Sequence, residues 1–393
     1  MAAQVLLGLA ARRHRVRAVA PITADELQGG DRFALENPGI EVARLVVPYL
    51  DNSPDVVRDG AYRQLEGDQV ADLVSGFVAS DRPDVIVLGR ESFAWHIPGL
   101  AHHSVPLVLL IQGTTMMGIL EGTYAPDHAQ ELLERFRLAD CTVTVATHLA
   151  RVLHERGAVG VEVIPNPVDL QRFRPEPRGG RLAGALGAAQ EDIVIAHVSN
   201  LKALKRPLDI VDSAERALRE DARLLYVVVG DGSLREAMEE ACSKKRVSHR
   251  FRFVGWVPHE KVPDYLNLAD LVVMPSAGEA QALVYLETQA CARTLVASDI
   301  PAAREVIADG ETGLLFRAGD VEHLVERTLT AASSPALRAE IGRRARQHVA
   351  SHSLPRTVAR YEAVLLRLAR NGSRRESAPA SDFAMSARRS VPR

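Results

Sequence analysis

The sequence predicts an α/β protein with two doubly wound domains, each built on a parallel sheet, and with a ligand-binding cleft between them. Short runs rich in Val, Ile and Leu alternate with amphipathic runs of helical length, which is the pattern of parallel strands covered by helices on both faces. The runs fall into two sets that meet at a Pro-, Gly- and Arg-rich stretch, residues 166–184. This stretch is typical of a linker, and 393 residues suffice for two separate cores.

The first set of strands predicts an N-terminal domain over residues 1–175. Its apolar runs are RVRAVAP, PDVIVLG, VPLVLLIQG, CTVTVAT and VEVIPNP. The chain opens with a helical pattern followed directly by a strand, so we expect this domain to lack its first strand and first βα loop. Either the gene model begins at an internal methionine or the domain is natively short. We favour the first, because an absent central strand would leave neighbouring backbone groups unpaired.

The second set of strands predicts a C-terminal domain over residues 176–350. Its runs are DIVIAHVSN, ARLLYVVVGDG, FRFVGW, ADLVVMPS, TLVASD and TGLLF. An amphipathic helix over 351–370 follows, and we expect it to pack back toward the N-terminal domain. Residues 371–393 are polar, small and basic, which predicts a disordered tail.

Composition excludes several classes of protein. A formal net charge of −2 argues against a dedicated nucleic-acid binder, which needs a cationic surface. The three cysteines lack CxxC spacing, so neither a disulfide framework nor a thiolate metal site is expected. With no apolar run of membrane-spanning length and no signal-peptide pattern, we predict a cytoplasmic protein. The basic cluster at 12–17 is either a solvated helix end or a peripheral contact with an anionic acceptor or the inner face of the membrane.

Two acidic residues lie in the otherwise apolar run GEAQALVYLETQAC, residues 278–291. Glu279 follows a predicted strand through a short loop, and we place Glu287 about two turns into the next helix. Burying a lone carboxylate is costly, so the pair are misplaced surface charges, ion pairs or ligand contacts. A strand–loop–helix unit presents backbone N–H groups and a positive dipole end to an anion. Two flanking carboxylates could each accept hydrogen bonds from a vicinal diol, which fits a nucleotide sugar.

A cluster of cations follows the first strand of the second domain, in HVSNLKALKRP at 197–207. Lys202, Lys205 and Arg206 are expected at the carboxyl edge of the sheet, where open α/β sheets bind ligands. Cations there could neutralise a departing diphosphate without a metal. The alternative interpretation is a lysine-rich helix start that faces water.

These motifs together resemble the donor domain of the retaining GT-B glycosyltransferases of family 4, most strongly over 190–350. The family's signature is two glutamates separated by seven residues, as in GEAQALVYLETQAC, and IPNPVDLQRFRP (164–175) is similar to its domain-closing segment. The resemblance implies a GT-B fold whose N-terminal domain binds the acceptor and whose C-terminal domain binds the donor. It also implies a nucleotide-diphosphate sugar as co-substrate, a small-molecule or glycan acceptor, and neither cofactor nor metal. The motifs that carry it are HVSNLKALKRP, VVVGDGSLRE, FRFVGWVPHEKVPDYLNLADLVVMPS, GEAQALVYLETQAC and SDIPAAREVIADGETGLLF.

The resemblance also implies a role for each site residue. Glu287 would bind the ribose hydroxyls, Glu279 the hydroxyls of the transferred sugar and Lys205 the diphosphate. The backbone at Trp256 and Val257 would lie beside the base. The main-chain amides that would contact the phosphates are those of Ala282, Leu283 and Val284.

The chain departs from the family pattern at several of these positions. Many members have Arg where this chain has Asn200, so Lys202 or Arg206 would have to supply that charge. Ala280 and Ala282 replace glycines, and Gln281 replaces an aromatic residue. In LLIQGTTMMG, Gln112 stands at the position of a catalytic-site histidine. An amide there can donate a hydrogen bond, but it cannot act as an acid or base.

The sequence therefore predicts a retaining, metal-independent glycosyltransferase that moves a hexose-type sugar to a hydroxyl acceptor. The alternative is a catalytically idle GT-B scaffold that binds a nucleotide sugar or a partner transferase. A phosphorylase or a sugar-nucleotide epimerase fits less well, because the motifs resemble transferases more closely.

Overall fold

The computed structural model describes residues 2–23, 37, 40–47 and 60–376. The chain divides into two compact units. The first consists of Met1–Val145, Leu149–Ile164 and Thr357–Arg393, and the second of Ala146–His148 and Pro165–Arg356.

The described residues of the first unit form two parallel sheets. Strand β1 pairs with β2, and the other four strands pair in the order β3-β4-β5-β6. The strands are β1 (Arg17–Thr23), β2 (Glu41–Val47), β3 (Ile86–Leu88), β4 (Leu107–Ile111), β5 (Cys141–Thr144) and β6 (Val161–Val163). Among the described residues, the helices up to residue 155 are α1 (Ala2–Ala11), α2 (Gly60–Ser80), α3 (Ile97–Leu100), α4 (Thr114–Leu120), α5 (Pro126–Phe136) and α6 (Thr147–Glu155).

The five strands that the sequence predicts for this unit are confirmed, and β2 was missed. Every residue of β4 is buried, as expected of an apolar strand covered on both faces. In β2, by contrast, Glu41 and Arg44 interrupt the apolar residues, so the segment lacks the continuous run that marks the other strands.

The second unit is built on one six-stranded parallel sheet with the order β12-β11-β10-β7-β8-β9. All six predicted strands are confirmed. They are β7 (Ile193–Val198), β8 (Leu224–Val229), β9 (Phe251–Gly255), β10 (Leu271–Met274), β11 (Thr294–Ser298) and β12 (Leu314–Phe316). The helices are α7 (Gly180–Ala185), α8 (Pro207–Glu220), α9 (Arg235–Lys244), α10 (Val262–Leu268), α11 (Leu283–Ala290), α12 (Pro301–Arg304), α13 (Val321–Ser333) and α14 (Pro335–Val349).

Two apolar cores cover the two faces of this sheet. Successive strand residues point to opposite faces, so Val194 and Ala196 pack in one core, whereas Ile193 and Ile195 pack in the other. The strand order reverses between β7 and β10. In doubly wound sheets, ligands bind outside the carboxyl ends of the strands at such a switch point.

The last helix, α15 (Leu354–Glu376), runs six residues beyond the predicted end at Arg370. The prediction of a tail from residue 371 is therefore wrong for 371–376, and 377–393 lie outside the described residues. Within the first unit, Arg12 pairs with Glu362 of this helix. No helix in the described segments is long and apolar enough to cross a bilayer.

Candidate active site at the switch point of the second sheet

Two loops leave the sheet side by side at the switch point. The loop after β7 ends in a 3-10 turn, Ala203–Lys205, and the loop after β10 covers residues 275–282. The amide of Ala277 donates to the carbonyl of Leu204 across a distance of 2.8 Å. The cationic and acidic motifs are thus neighbours in the folded unit, as their positions after β7 and β10 predict.

Lys205 and Glu279 form a direct ion pair between these loops. Nζ of Lys205 lies 2.5 Å from Oε1 of Glu279, and the Ser276 hydroxyl donates to the same oxygen at 2.8 Å. The Glu279 side chain is only 8% exposed, so its charge requires a partner. Two residues predicted to be catalytic therefore contact each other in the structure.

The main chain of Glu279 is held by His148, a residue that the sequence analysis missed. Nε2 of His148 lies 3.2 Å from the Glu279 carbonyl oxygen, and Nδ1 lies 2.7 Å from Oε1 of Glu305. Glu305 also accepts hydrogen bonds from the amides of Thr147 and His148, at 2.8 and 2.9 Å. Burial raises the pKa of Glu305, but these hydrogen bonds outweigh burial and leave that pKa below its ordinary value.

Glu287 is buried on α11, and the imidazole of His259 contacts its carboxylate. Nε2 of His259 lies 2.6 Å from Oε1 of Glu287, and the His259 ring packs 5.3 Å from the ring of Phe173. The hydrogen bond to Glu287 raises the pKa of His259. The predicted placement of Glu287 about two turns into the helix is wrong. Because α11 begins at Leu283, Glu287 lies little more than one turn from its start.

The loop enters α11 in an extended conformation at Ala282, and the preceding residue, Gln281, is bound to a distant segment. Oε1 of Gln281 accepts a hydrogen bond from the backbone amide of Asn166 at 2.6 Å, and Nδ2 of Asn166 donates to the Gln281 carbonyl at 3.3 Å. Both side chains are buried. Ala280 and Val284 are half-buried, Ala282 is buried at the N-cap, and Leu283 is exposed.

The other two predicted cations have different surroundings from Lys205. Arg206 makes a two-bond ion pair with Asp209, with Nε and Nη2 at 2.7 and 3.2 Å from the two carboxylate oxygens. It has a positive φ of 46° at the turn before α8, whose first residue is Pro207. Lys202 and Asn200 are exposed. Lys205 is thus the predicted cation that contacts a signature glutamate.

Trp256 and Val257 follow the end of β9, where Trp256 is 74% exposed and Val257 is half-buried. The neighbouring GDG sequence has a packing function. A Cβ on Gly230 would lie 1.8 Å from the carbonyl oxygen of Ser199, and one on Gly232 would lie 1.9 Å from that of Asn200. Only glycine therefore allows the loop after β8 to pack against the loop after β7.

Gln112 lies in the first unit, directly after β4. Its Nε2 donates to the carbonyl of Gly89 at 3.0 Å. The next amide, that of Gly113, donates to Oε1 of Glu91, which is a second residue that the sequence analysis missed. Burial raises the pKa of Glu91, against the opposing effect of hydrogen bonds from backbone amides that include those of Gly113 and Gln112.

Two family profiles match this chain and together cover most of it. The profile described as Glycosyltransferase Family 4 matches residues 1–172, and the profile described as Glycosyl transferases group 1 matches 182–348. The chain belongs to glycosyltransferase family 4. The family prediction is therefore confirmed.

Curated relatives share part of their length with this chain. The D-inositol 3-phosphate glycosyltransferase of Nocardia farcinica is 34% identical over 164 residues, which cover 40% of this chain and 36% of the relative. The enzyme of the same name from Rhodococcus erythropolis is 28% identical over 348 residues, covering 79% of this chain and 77% of the relative. Across four such enzymes, this chain spans 36 to 54% of the relative's length.

A solved structure is similar over nearly the whole of this chain. The Anabaena protein HepE, in complex with UDP and glucose, has a TM-score of 0.75 and 19% identity, covering 93% of this chain and 96% of HepE. At this identity the likeness establishes the fold, and the predicted GT-B class is confirmed.

Proposed function

We propose that this family 4 member is a retaining, metal-independent glycosyltransferase that moves a hexose-type sugar from a nucleotide-diphosphate sugar to a hydroxyl acceptor. The observation that carries the proposal is the Lys205–Glu279 ion pair at the switch point of the sheet. A buried glutamate paired with a single lysine in a ligand-binding loop is suited to hydrogen-bond donors such as sugar hydroxyls.

A uridine nucleotide sugar is the first donor to test, because HepE, which has the same fold, holds UDP and glucose. In this proposal Glu279 binds hydroxyls of the transferred sugar and Glu287 binds the ribose. Both carboxylates are buried and each already bonds a cationic or imidazole group, so each is fixed in place before a donor arrives.

The mechanism follows from the charges. The bond between C1 of the sugar and the diphosphate oxygen breaks, and the electron pair leaves with the diphosphate. Lys205 and the N–H groups at the start of α11 stabilise the negative charge. The acceptor hydroxyl attacks C1 from the face that the diphosphate leaves, and its proton passes to the departing phosphate oxygen. In this proposal Gln112 acts as a hydrogen-bond donor and moves no proton.

Hydrolysis and transfer with a panel of nucleotide sugars, in wild type and Glu279→Ala, test this proposal. The matched control is Glu240→Ala, whose side chain is 70% exposed and pairs with Lys244, which is 77% exposed. We expect Glu279→Ala to lower turnover by roughly 100-fold or more, as loss of a positioned contact to the reacting sugar does, and the control to match wild type. An inverted product, or strict dependence on a divalent cation, would contradict the mechanism.

The idle scaffold is the second candidate, and Gln112 together with the replaced glycines favours it. The presence of Glu279, Glu287 and Lys205 in one arrangement favours an active enzyme instead. A protein that binds a nucleotide sugar but turns over none of the panel would establish the scaffold.

We propose a cytoplasmic location with a small-molecule or glycan acceptor. Three arginines of the basic cluster form ion pairs, which supports the interpretation as a solvated helix end over a membrane contact. Arg12 pairs with Glu362, Arg15 with Asp81, and Arg17 with Glu41.

A further inference from the structure

The imidazole of His148 lies between two groups that can only accept hydrogen bonds. One ring nitrogen faces the carboxylate of Glu305 at 2.7 Å, and the other faces the main-chain carbonyl of Glu279 at 3.2 Å. A ring nitrogen that bonds either partner does so as an N–H donor. The carboxylate of Glu305 is also bound by the backbone amides of Thr147 and His148.

This arrangement supports the Glu279 loop where the loop has no regular secondary structure. Residues 275–282 follow β10 and precede α11 without a helix or strand of their own. The carbonyls of Glu279 and Gln281 are instead bonded by the side chains of His148 and Asn166. Lys205 and Ser276 bind the Glu279 side chain. His148 therefore fixes the backbone from which that carboxylate projects.

We propose that His148 is a positioning residue for Glu279, and that it acts only together with Glu305. The inference rests on the proposed function for its consequence in sugar transfer. Glu305 orients the ring through Nδ1, the ring holds the Glu279 carbonyl through Nε2, and the carboxylate of Glu279 is thereby aimed at the hydroxyls of the transferred sugar. Neither His148 nor Glu305 touches the donor.

The test compares His148→Phe, Glu305→Gln and the double variant with wild type. Phe preserves an aromatic ring at this position and removes both ring nitrogens. The matched control is His249→Phe, at an exposed 3-10 turn of the same unit. Three quantities are measured: kcat and KM for transfer from a UDP-sugar, the Kd for UDP alone, and hydrogen exchange of the peptide that spans 275–282. Thermal unfolding of each variant checks that it is folded.

We expect His148→Phe to lower kcat/KM by roughly 10- to 100-fold, the effect of a small misplacement of a reacting group. The Kd for UDP should stay within about twofold, because UDP lacks the sugar that Glu279 would bind. Glu305→Gln should act in the same direction, and the double variant should be no worse than His148→Phe, since the two residues act as one unit. Equal losses in transfer and in UDP binding would indicate general structural damage and overturn the proposal.

Hydrogen exchange gives an answer that needs no turnover. Exchange in 275–282 should rise roughly threefold or more in His148→Phe, because the loop loses a tethered carbonyl, and should be unchanged in His249→Phe. Unchanged exchange in His148→Phe overturns the positioning role even if transfer is slower. If wild type transfers no sugar from any donor, the proposed function fails, and the exchange result still decides whether His148 positions the loop. Should His148→Phe not fold, Glu305→Gln decides by the same measurements.

Discussion

Lys205 and Glu279, 74 residues apart in the chain, are joined by a 2.5 Å contact between Nζ and Oε1. The Glu279 side chain is 8% exposed and that of Lys205 is 19% exposed. The more deeply buried member is thus the carboxylate, and its other side-chain hydrogen bond comes from the Ser276 hydroxyl. The two members of the pair should therefore respond unequally to substitution.

Lys205→Met should destabilise the protein more than Glu279→Gln does. The first variant leaves a buried carboxylate without a cation, which costs on the order of 3 kcal/mol in the free energy of unfolding. The second leaves a lysine that can reach water and should cost less. Urea unfolding of both variants measures the difference, and Lys205→Met combined with Glu279→Leu should recover part of the loss. Equal stabilities for the two single variants would contradict the conclusion that the Glu279 carboxylate is the more deeply buried charge of the pair.

The His259–Glu287 contact predicts a pH-dependent contribution to stability. The hydrogen bond to Glu287 raises the pKa of His259 above its ordinary value of 6.5, so the folded protein binds that proton more tightly than the unfolded chain. The stabilisation is therefore fully present below pH 6.5 and is lost as pH rises through the raised pKa. The variant His259→Gln lacks this pH-dependent contribution to stability.

We expect the difference in free energy of unfolding between wild type and His259→Gln to be largest near pH 6 and to shrink toward pH 9. Denaturant unfolding at intervals across that range measures it. His323→Gln cannot serve as the control, because Nδ1 of His323 accepts a hydrogen bond from the Arg317 amide. The exposed His249 is suitable. A difference that grows with pH would have the wrong sign and would refute the interpretation.

Gly230→Ala should be strongly destabilising, because the new Cβ would lie 1.8 Å from a backbone carbonyl oxygen and φ is 120°. A main-chain atom cannot move aside as a flexible side chain can, so we expect a loss of about 3 kcal/mol or more. The matched control is Gly184→Ala, which has nothing within 4 Å and lies inside α7. That variant should be neutral or gain about 0.5–1 kcal/mol. Thermal unfolding compares the two, and similar Tm values would contradict the close approach of the loops.

The strands were predictable where the sequence is continuously apolar, and the site was predictable where topology alone brings residues together. The run LLYVVV is typical of a buried strand. Lys205 and Glu279 both follow strands that flank the switch point. The missed strand β2 contains Glu41 and Arg44. The start of α11 was misjudged because AQA at 280–282 has helix-forming residues, whereas in the structure the helix begins only at Leu283 and Gln281 accepts a hydrogen bond from the Asn166 amide.

The contacts that complete the site depend on tertiary structure and leave no local pattern. His148 and Glu305 are 157 residues apart in the chain. The local sequence around each residue gives no sign of the contact between them. Glu305 lies within SDIPAAREVIADG, one of the motifs that carry the family resemblance. His148 follows the strand CTVT at the start of a helix. A search for polar residues at every strand-to-helix junction would have found His148, but no spacing rule pairs it with Glu305.

Glu91→Gln should remove a pH dependence that wild type carries. Burial raises the pKa of Glu91 above its ordinary value, so the folded state favours the protonated acid. The stability of wild type relative to Glu91→Gln is therefore greatest below pH 4.5 and falls as pH rises through the raised pKa.

A glutamine at this position can still accept the hydrogen bond that Gly113 donates to Oε1 of Glu91. Glu91→Leu cannot, and it should lose about 1–3 kcal/mol because a buried amide is left unpaired. Denaturant unfolding of the three proteins between pH 5 and pH 8 measures both effects. If wild type gained stability over Glu91→Gln as pH rose, the carboxylate would be the favoured form and burial would not dominate its ionisation.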